Sequence, residues 1–118
     1  MSDEGPLRGE IWWVDLDPTR GSETAKTRPA VVVSTDAVSR LPVRLVVPLT
    51  EWKQKHGYYA WRLAIEPTPV NGLSKTSAAD ALQIRCVSVE RFRERMGRLE
   101  ADLLAELTAA IALVVDYE

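Results

Sequence analysis

The chain has 118 residues, 46% of them apolar and 27% charged, which suits a single globular domain with a modest core. With 15 Lys and Arg against 17 Asp and Glu, its formal net charge is −2, so whole-molecule attraction does not drive it onto nucleic acid. Any such binding needs a local basic surface. No apolar run approaches the ~20 residues of a membrane span, and one cysteine, Cys86, excludes an internal disulfide, so a cytoplasmic protein is the simplest expectation.

Residues 1–6 are acidic and lack the apolar stretch of a signal peptide. Residues 1–8 read as a flexible tail and 9–118 as a single domain. From 9 to 16 the chain alternates: Ile11, Trp13 and Asp15 fall on one face, Trp12, Val14 and Leu16 on the other, which predicts a first strand. Trp12 and Trp13 cannot share one core, so one of them is expected at the surface or in an interface. Asp17, Pro18, Thr19, Arg20, Gly21 and Ser22 carry turn chemistry, and the loop runs on to Arg28. At about ten residues it exceeds a usual hairpin turn, and such loops often carry function. It sets Arg20, Lys26 and Arg28 against Glu23 alone, a basic surface in an acidic chain. Pro29 suits a strand start and crowds Arg28 into the extended region. Val31, Val32 and Val33 are β-branched and continuous, which predicts a strand buried on both faces.

Asp36, Ser39 and Pro42 mark residues 35–42 as a loop. Residues 43–49 form a third predicted strand, in which Pro48 is expected to force an edge position or a bulge beside Thr50. If the second and third strands form an antiparallel hairpin, Arg28 and Thr50 come to the same end of the sheet. Residues 51–59 are polar, broken by Gly57, and read as a mobile lobe. Trp61, Leu63 and Ile65 alternate with Arg62 and Ala64 as a strand, and Pro67, Pro69, Asn71 and Gly72 make a turn. Residues 79–89 read as a further β segment, with Leu82, Ile84 and Cys86 on one face and Gln83 and Arg85 on the other. Ser88 suits the cap of a short helix over 89–95 that Gly97 stops. Leu99, Leu103, Leu107 and Ile111 recur at helical spacing, which predicts a last helix over about 100–115. Glu100 and Asp102 suit its N-terminal dipole. The plan is five or so short strands and then two helices: a small, mainly β barrel with the final helix packed outside.

A guanidinium and a hydroxyl at one end of a sheet suit a phosphate. Arg28 would stabilise a phosphorane and Thr50 would donate to a phosphate oxygen. An exposed strand-end arginine and a turn threonine describe the same residues more plainly. Glu23 is a candidate to orient Arg28 or to act as a general base, or it is a solvated loop charge. Gln83 and Arg85 are candidates to read base edges or hold phosphate, against a plain polar strand face. Trp52 and Tyr58 are candidates to stack on bases, against packing onto the barrel or a partner. His56, the only histidine, sits among lysines beside a glycine, which fits a solvated segment better than an acid–base role. Cys86 reads as a small buried residue. One Cys and one His offer no metal-ligand cluster, and neither a Gly-rich phosphate loop nor Gly-x-Ser-x-Gly is present.

The string Arg8-Gly9-Glu10-Ile11-Trp12-Trp13-Val14-Asp15-Leu16, then Pro18, Gly21-Ser22-Glu23, Lys26, Arg28-Pro29, Val31-Val32-Val33 and Pro48-Leu49-Thr50, resembles the MazF/PemK family of bacterial toxins. Gln83-Ile84-Arg85 and Val89-Glu90-Arg91-Phe92 continue the resemblance, which runs over about residues 8–115. Gly-Ser-Glu, Arg-Pro and Pro-Leu-Thr are specific in this combination and weak singly. The resemblance implies a small SH3-like barrel of the MazF/Kid/CcdB type that works as a homodimer. It implies a metal-independent endoribonuclease without cofactors that cuts single-stranded RNA at short sequences. The 2′-OH would attack the adjacent phosphate to give a 2′,3′-cyclic phosphate and a 5′-OH. A cognate, MazE-like antitoxin would cover the RNA groove. The family's catalytic arginine falls on Arg28 and its threonine on Thr50, with Glu23 as a third candidate. RNA contacts are expected at Arg20, Ser22, Lys26, Trp52, Gln83 and Arg85. Some relatives carry a histidine in the first loop; residues 19–22 have none, so a histidine-based mechanism is not expected. The alternative is a non-catalytic or gyrase-poisoning, CcdB-like toxin that acts by protein contact and does not use the Arg-Pro and Pro-Leu-Thr pair.

Overall fold

The computed structural model describes residues 5–54 and 59–117. In chain order come β1 (Glu10–Asp15), β2 (Thr27–Val32), β3 (Val43–Glu51), β4 (Arg62–Ile65), β5 (Ser77–Asp80), β6 (Arg85–Ser88), β7 (Phe92–Arg98) and α1 (Ala101–Val114). All pairings are antiparallel. The strands lie in the order β4-β5-β3-β2-β1-β7, with β6 also on β3. The sheet is not closed, and its arrangement with one C-terminal helix is that of the expected barrel-like, mainly β fold.

The valine run does bury both faces. Val31 and Val33 join Ile11, Val47, Leu49, Ile65 and Leu107 on one side. Ala30 and Val32 join Val14, Leu16, Val46 and Val87 on the other. Helix α1 closes the first cluster with Leu107, flanked by Leu103 and Ile111, the stripe its spacing predicts. Trp12 packs against the second cluster, edge-on to Phe92 at 5.8 Å, while Trp13 is exposed. No helix among the described residues is long and apolar enough to cross a membrane.

Several expectations are corrected. Seven strands form among the described residues, where five or so were expected. Pro48 makes neither an edge nor a bulge, because β3 is central. The Leu45 carbonyl accepts from Val33 N–H, so odd positions of β3 bond to β2 and even ones, Pro48 included, face the other way. On that side β6 pairs only as far as Val46 and β5 only from Leu49, so the missing N–H falls between two ladders. Residues 79–89 are not one β segment. Asp80 Oδ1 accepts from Leu82 N–H at 2.9 Å and closes a 3-10 turn over Ala81–Gln83, which breaks the alternation. Leu82 and Cys86 consequently face out, so Cys86 is exposed and not a core residue. Ser88 does cap, its Oγ accepting Glu90 N–H at 3.1 Å, but it caps one turn, Val89–Arg91. The rest of the expected short helix is strand β7, recruited by the free edge of β1. Gly97 is not a helix stop; it is a close crossing, where a Cβ would stand 2.4 Å from the Val70 carbonyl oxygen.

Residues 5–8, expected in the tail, are tied to the sheet. Pro6 is buried, and its carbonyl accepts from Arg44 Nε at 2.8 Å. Arg44 is itself buried and also donates to the carbonyls of Ser39, Leu41 and Val43 at 2.8–2.9 Å. Arg8 reaches the Val33 carbonyl and, at 2.9 Å, the Thr108 hydroxyl on α1.

Candidate functional site

The site begins where the β2–β3 ladder ends. Ala30 pairs with Pro48, and the same register carried two residues further sets Arg28 opposite Thr50. Both continue the face of Ala30, Val32 and Val46. On the other edge of β3, β5 pairs from Leu49 onward. A cleft of ≈ 260 Å³ opens there, lined by Trp13, Arg28, Thr50, Glu51, Ser74 and Lys75 among others. Glu51 is engaged by Lys75 at 3.7 Å.

Arg28 is half-buried, and its Nε donates to the Ala25 carbonyl at 3.2 Å. Its terminal nitrogens have no partner among the described residues. A guanidinium held by one edge, with its fork open and no carboxylate paired to it, is disposed to take an oxyanion.

The loop that delivers Arg28 is fastened at several points. Lys26 adopts a positive φ of 72°, its N–H donates to Asp17 Oδ1 at 3.0 Å, and its carbonyl accepts Leu16 N–H at 3.0 Å. Arg85 Nη1 donates to the Leu16 carbonyl at 3.2 Å, and Arg91 donates to the carbonyls of Asp15, at 3.1 Å, and Asp17. Gln83 grips the tip with its whole carboxamide. Its Oε1 accepts Thr24 N–H at 3.0 Å and its Nε2 donates to the Ser22 carbonyl at 3.2 Å.

A second hollow, ≈ 320 Å³, shares Thr50 with the first; Ser22, Thr24, Tyr59, Arg62, Asp80 and Gln83 line it. Of the residues singled out in the sequence, Arg28 and Thr50 therefore meet in one cleft, and Ser22, Thr50 and Gln83 meet in the adjoining one. Arg20, Glu23 and Lys26 are exposed and line neither. Arg20 and Glu23 close a turn on each other: Glu23 Oε1 accepts Arg20 N–H at 2.6 Å and the Arg20 carbonyl accepts Glu23 N–H at 3.1 Å. Arg85 is turned to the loop root. Trp52 is half-buried, with the Arg62 guanidinium 4.8 Å from its ring centroid. His56 and Tyr58 lie outside the described residues.

Sequence reasoning passed over Tyr59, Arg62 and Asp80. Tyr59 is 51% exposed and stacks on Trp61 with centroids 5.0 Å apart. Arg62 and Asp80 are register partners on β4 and β5, both at the polar ends of short strands. Their signal was their charge next to apolar alternation. Among the described residues no group of three or more His, Cys, Asp and Glu is arranged to hold a metal ion.

Comparisons with known proteins bear on this geometry. The family described as PemK-like, MazF-like toxin of type II toxin–antitoxin system matches residues 7–115. The endoribonuclease MazF9 of Mycobacterium tuberculosis is 43% identical over 115 residues, covering 92% of this chain and 95% of that protein. The crystal structure of MazF from Deinococcus radiodurans superposes with a TM-score of 0.78 at 24% identity, covering 94% of this chain and 96% of that one. A mycobacterial endoribonuclease in complex with its cognate antitoxin gives 0.73 at 20% identity, covering 97% and 96%.

Proposed function

The chain belongs to the PemK-like, MazF-like toxins of type II toxin–antitoxin systems and is an endoribonuclease, and we propose that it cuts single-stranded RNA in the cleft that Arg28 and Thr50 line. One observation carries this reading: a guanidinium with open terminal nitrogens and a hydroxyl share one groove at the end of the β2–β3 ladder.

The ribose 2′-oxygen attacks the adjacent phosphorus while the P–O5′ bond breaks. The 2′-OH proton leaves to solvent or a base, and the departing O5′ takes up a proton. The products are a 2′,3′-cyclic phosphate and a 5′-OH. No water enters this step, so no metal is needed to activate one. Arginine stays protonated at neutral pH. Arg28 therefore neutralises the charge that builds on the phosphorane and donates toward the leaving oxygen, and Thr50 donates to a non-bridging oxygen. Glu23 needs a change of loop conformation to reach the 2′-OH, because it lines neither hollow and its Oε1 is engaged by the Arg20 N–H. Ser22 and Gln83 face the RNA beside Thr50, and Arg20, Lys26 and Arg85 supply positive field around it.

The same reading takes residues 9–118 as one toxin domain acting as a cytoplasmic homodimer. Exposed Leu41 and Leu45 beside an apolar hollow with Val38 and Val43 support pairing of two copies. A cognate antitoxin covering the groove would silence it. The gyrase-poisoning alternative gives no use for an arginine and a threonine in one cleft. Incubation with end-labelled single-stranded RNA in EDTA tests the proposal: fragments ending in cyclic phosphate and 5′-OH support it, and intact RNA contradicts it.

A further inference from the structure

The hollow that shares Thr50 with the Arg28 cleft carries a charge that phosphate binding does not explain. Asp80 is the one carboxylate among the described residues lining it; set across the ladder from Arg62, it leaves the wall without the positive excess that a phosphodiester seat needs. Its Oδ1 accepts Leu82 N–H at 2.9 Å, which holds the side chain in place, and Oδ2 has no partner among the described residues. The Gln83 carboxamide is already committed to the loop backbone on both its oxygen and its nitrogen. Tyr59 adds an exposed aromatic face to the same wall. A charged acceptor, an aromatic face and a neighbouring phosphate site together describe a seat for a nucleobase.

We propose that this hollow is a specificity subsite for the base next to the scissile phosphate, and that Asp80 selects a base with an exocyclic amine over uracil. The proposal rests on the RNA-cutting reading above. Thr50 belongs to both hollows, so a nucleotide whose phosphate meets its hydroxyl in the first has room to set its base in the second. Adenine, cytosine and guanine turn amine hydrogens toward the carboxylate. Uracil sets a carbonyl on each side of N3–H, so its edge brings acceptor against acceptor.

The test is 5′-end sequencing of a long RNA digested by the wild type, Asp80→Asn and Asp80→Ala, with kcat/KM on paired short RNAs that differ only at the selected base. Asparagine still accepts from Leu82 N–H, so the turn cap survives. It also presents a donor beside its acceptor, which complements uracil. The wild-type profile is expected to be depleted of uracil at one position flanking the cut. Asp80→Asn is expected to raise cleavage at uracil relative to amine-bearing bases about tenfold, the size of one hydrogen bond to a charged group, and Asp80→Ala is expected to narrow the same discrimination. A wild-type profile with uracil undiminished on both sides of the cut overturns the proposal. So does an Asp80→Asn profile identical to wild type, or a uniform slowing at every site, the mark of a structural or proton-transfer role. RNA left uncut by the wild type would instead remove the endoribonuclease reading itself.

Discussion

Gln83 and Thr24 stand 59 residues apart in the chain and meet through one hydrogen bond, Thr24 N–H to Gln83 Oε1 at 3.0 Å. The opposite corner of the same carboxamide donates to the Ser22 carbonyl. One side chain from the turn before β6 thus fastens the tip of the loop that leads to Arg28.

Replacing Gln83 by Leu keeps most of the volume and removes both bonds. The loop tip is then free to leave the groove wall, and kcat/KM for RNA cleavage is expected to fall about tenfold, a loss of 1.4 kcal/mol. Stability should change by only about 1–2 kcal/mol, since the bonds are half-exposed and water replaces them. Cleavage assays set beside urea unfolding check this; wild-type activity in the variant would remove the strut from the account.

Gly97 crosses the 70–71 turn so closely that a Cβ would lie 2.4 Å from the Val70 carbonyl oxygen and 2.7 Å from the Asn71 carbonyl. Both obstacles are backbone, so neither can swing aside. Gly97→Ala should cost about 2 kcal/mol or more, in the range of overpacking a tight interior. An unfolding midpoint equal to that of the wild type would contradict the crossing.

Glu100 precedes α1, where its Oε2 accepts from the Thr68 hydroxyl at 2.6 Å. That bond, chiefly, holds its carboxyl below the usual value of 4.5, against a smaller opposing effect of burial. The fold therefore favours the ionised form. Its contribution to stability is complete above the unfolded value near 4.5 and is lost as pH falls through the lowered folded value. Glu100→Gln should be less stable than wild type at neutral pH, and the gap should close in acid. Unfolding free energies at pH 7 and pH 3 decide it; a gap of constant size would count against the Thr68 bond.

The sequence made the central pair legible because two local rules sufficed. Pro29 marks a strand start, and an antiparallel return brings residue 50 beside residue 28; the observed Ala30–Pro48 pair has that register. The α1 stripe was equally readable, since one face of a helix is a local pattern. Pro48 was misread because its tolerance depends on two different neighbours of β3 meeting end to end, a tertiary fact. Residues 92–95, expected as helix, are strand because a vacant edge on β1 outweighs a helix-capping serine. Asp80 escaped notice because its relation to Thr50 runs across two strands, and no spacing in the chain encodes it.

Cleavage depends most directly on the positive charge at residue 28. The decisive measurement is the single-turnover rate of RNA cleavage by Arg28→Ala, with circular dichroism to establish that the sheet is intact. A fall of about 10²–10³-fold in a folded protein is the predicted result. A folded Arg28→Ala variant that cuts RNA at the wild-type rate would contradict it.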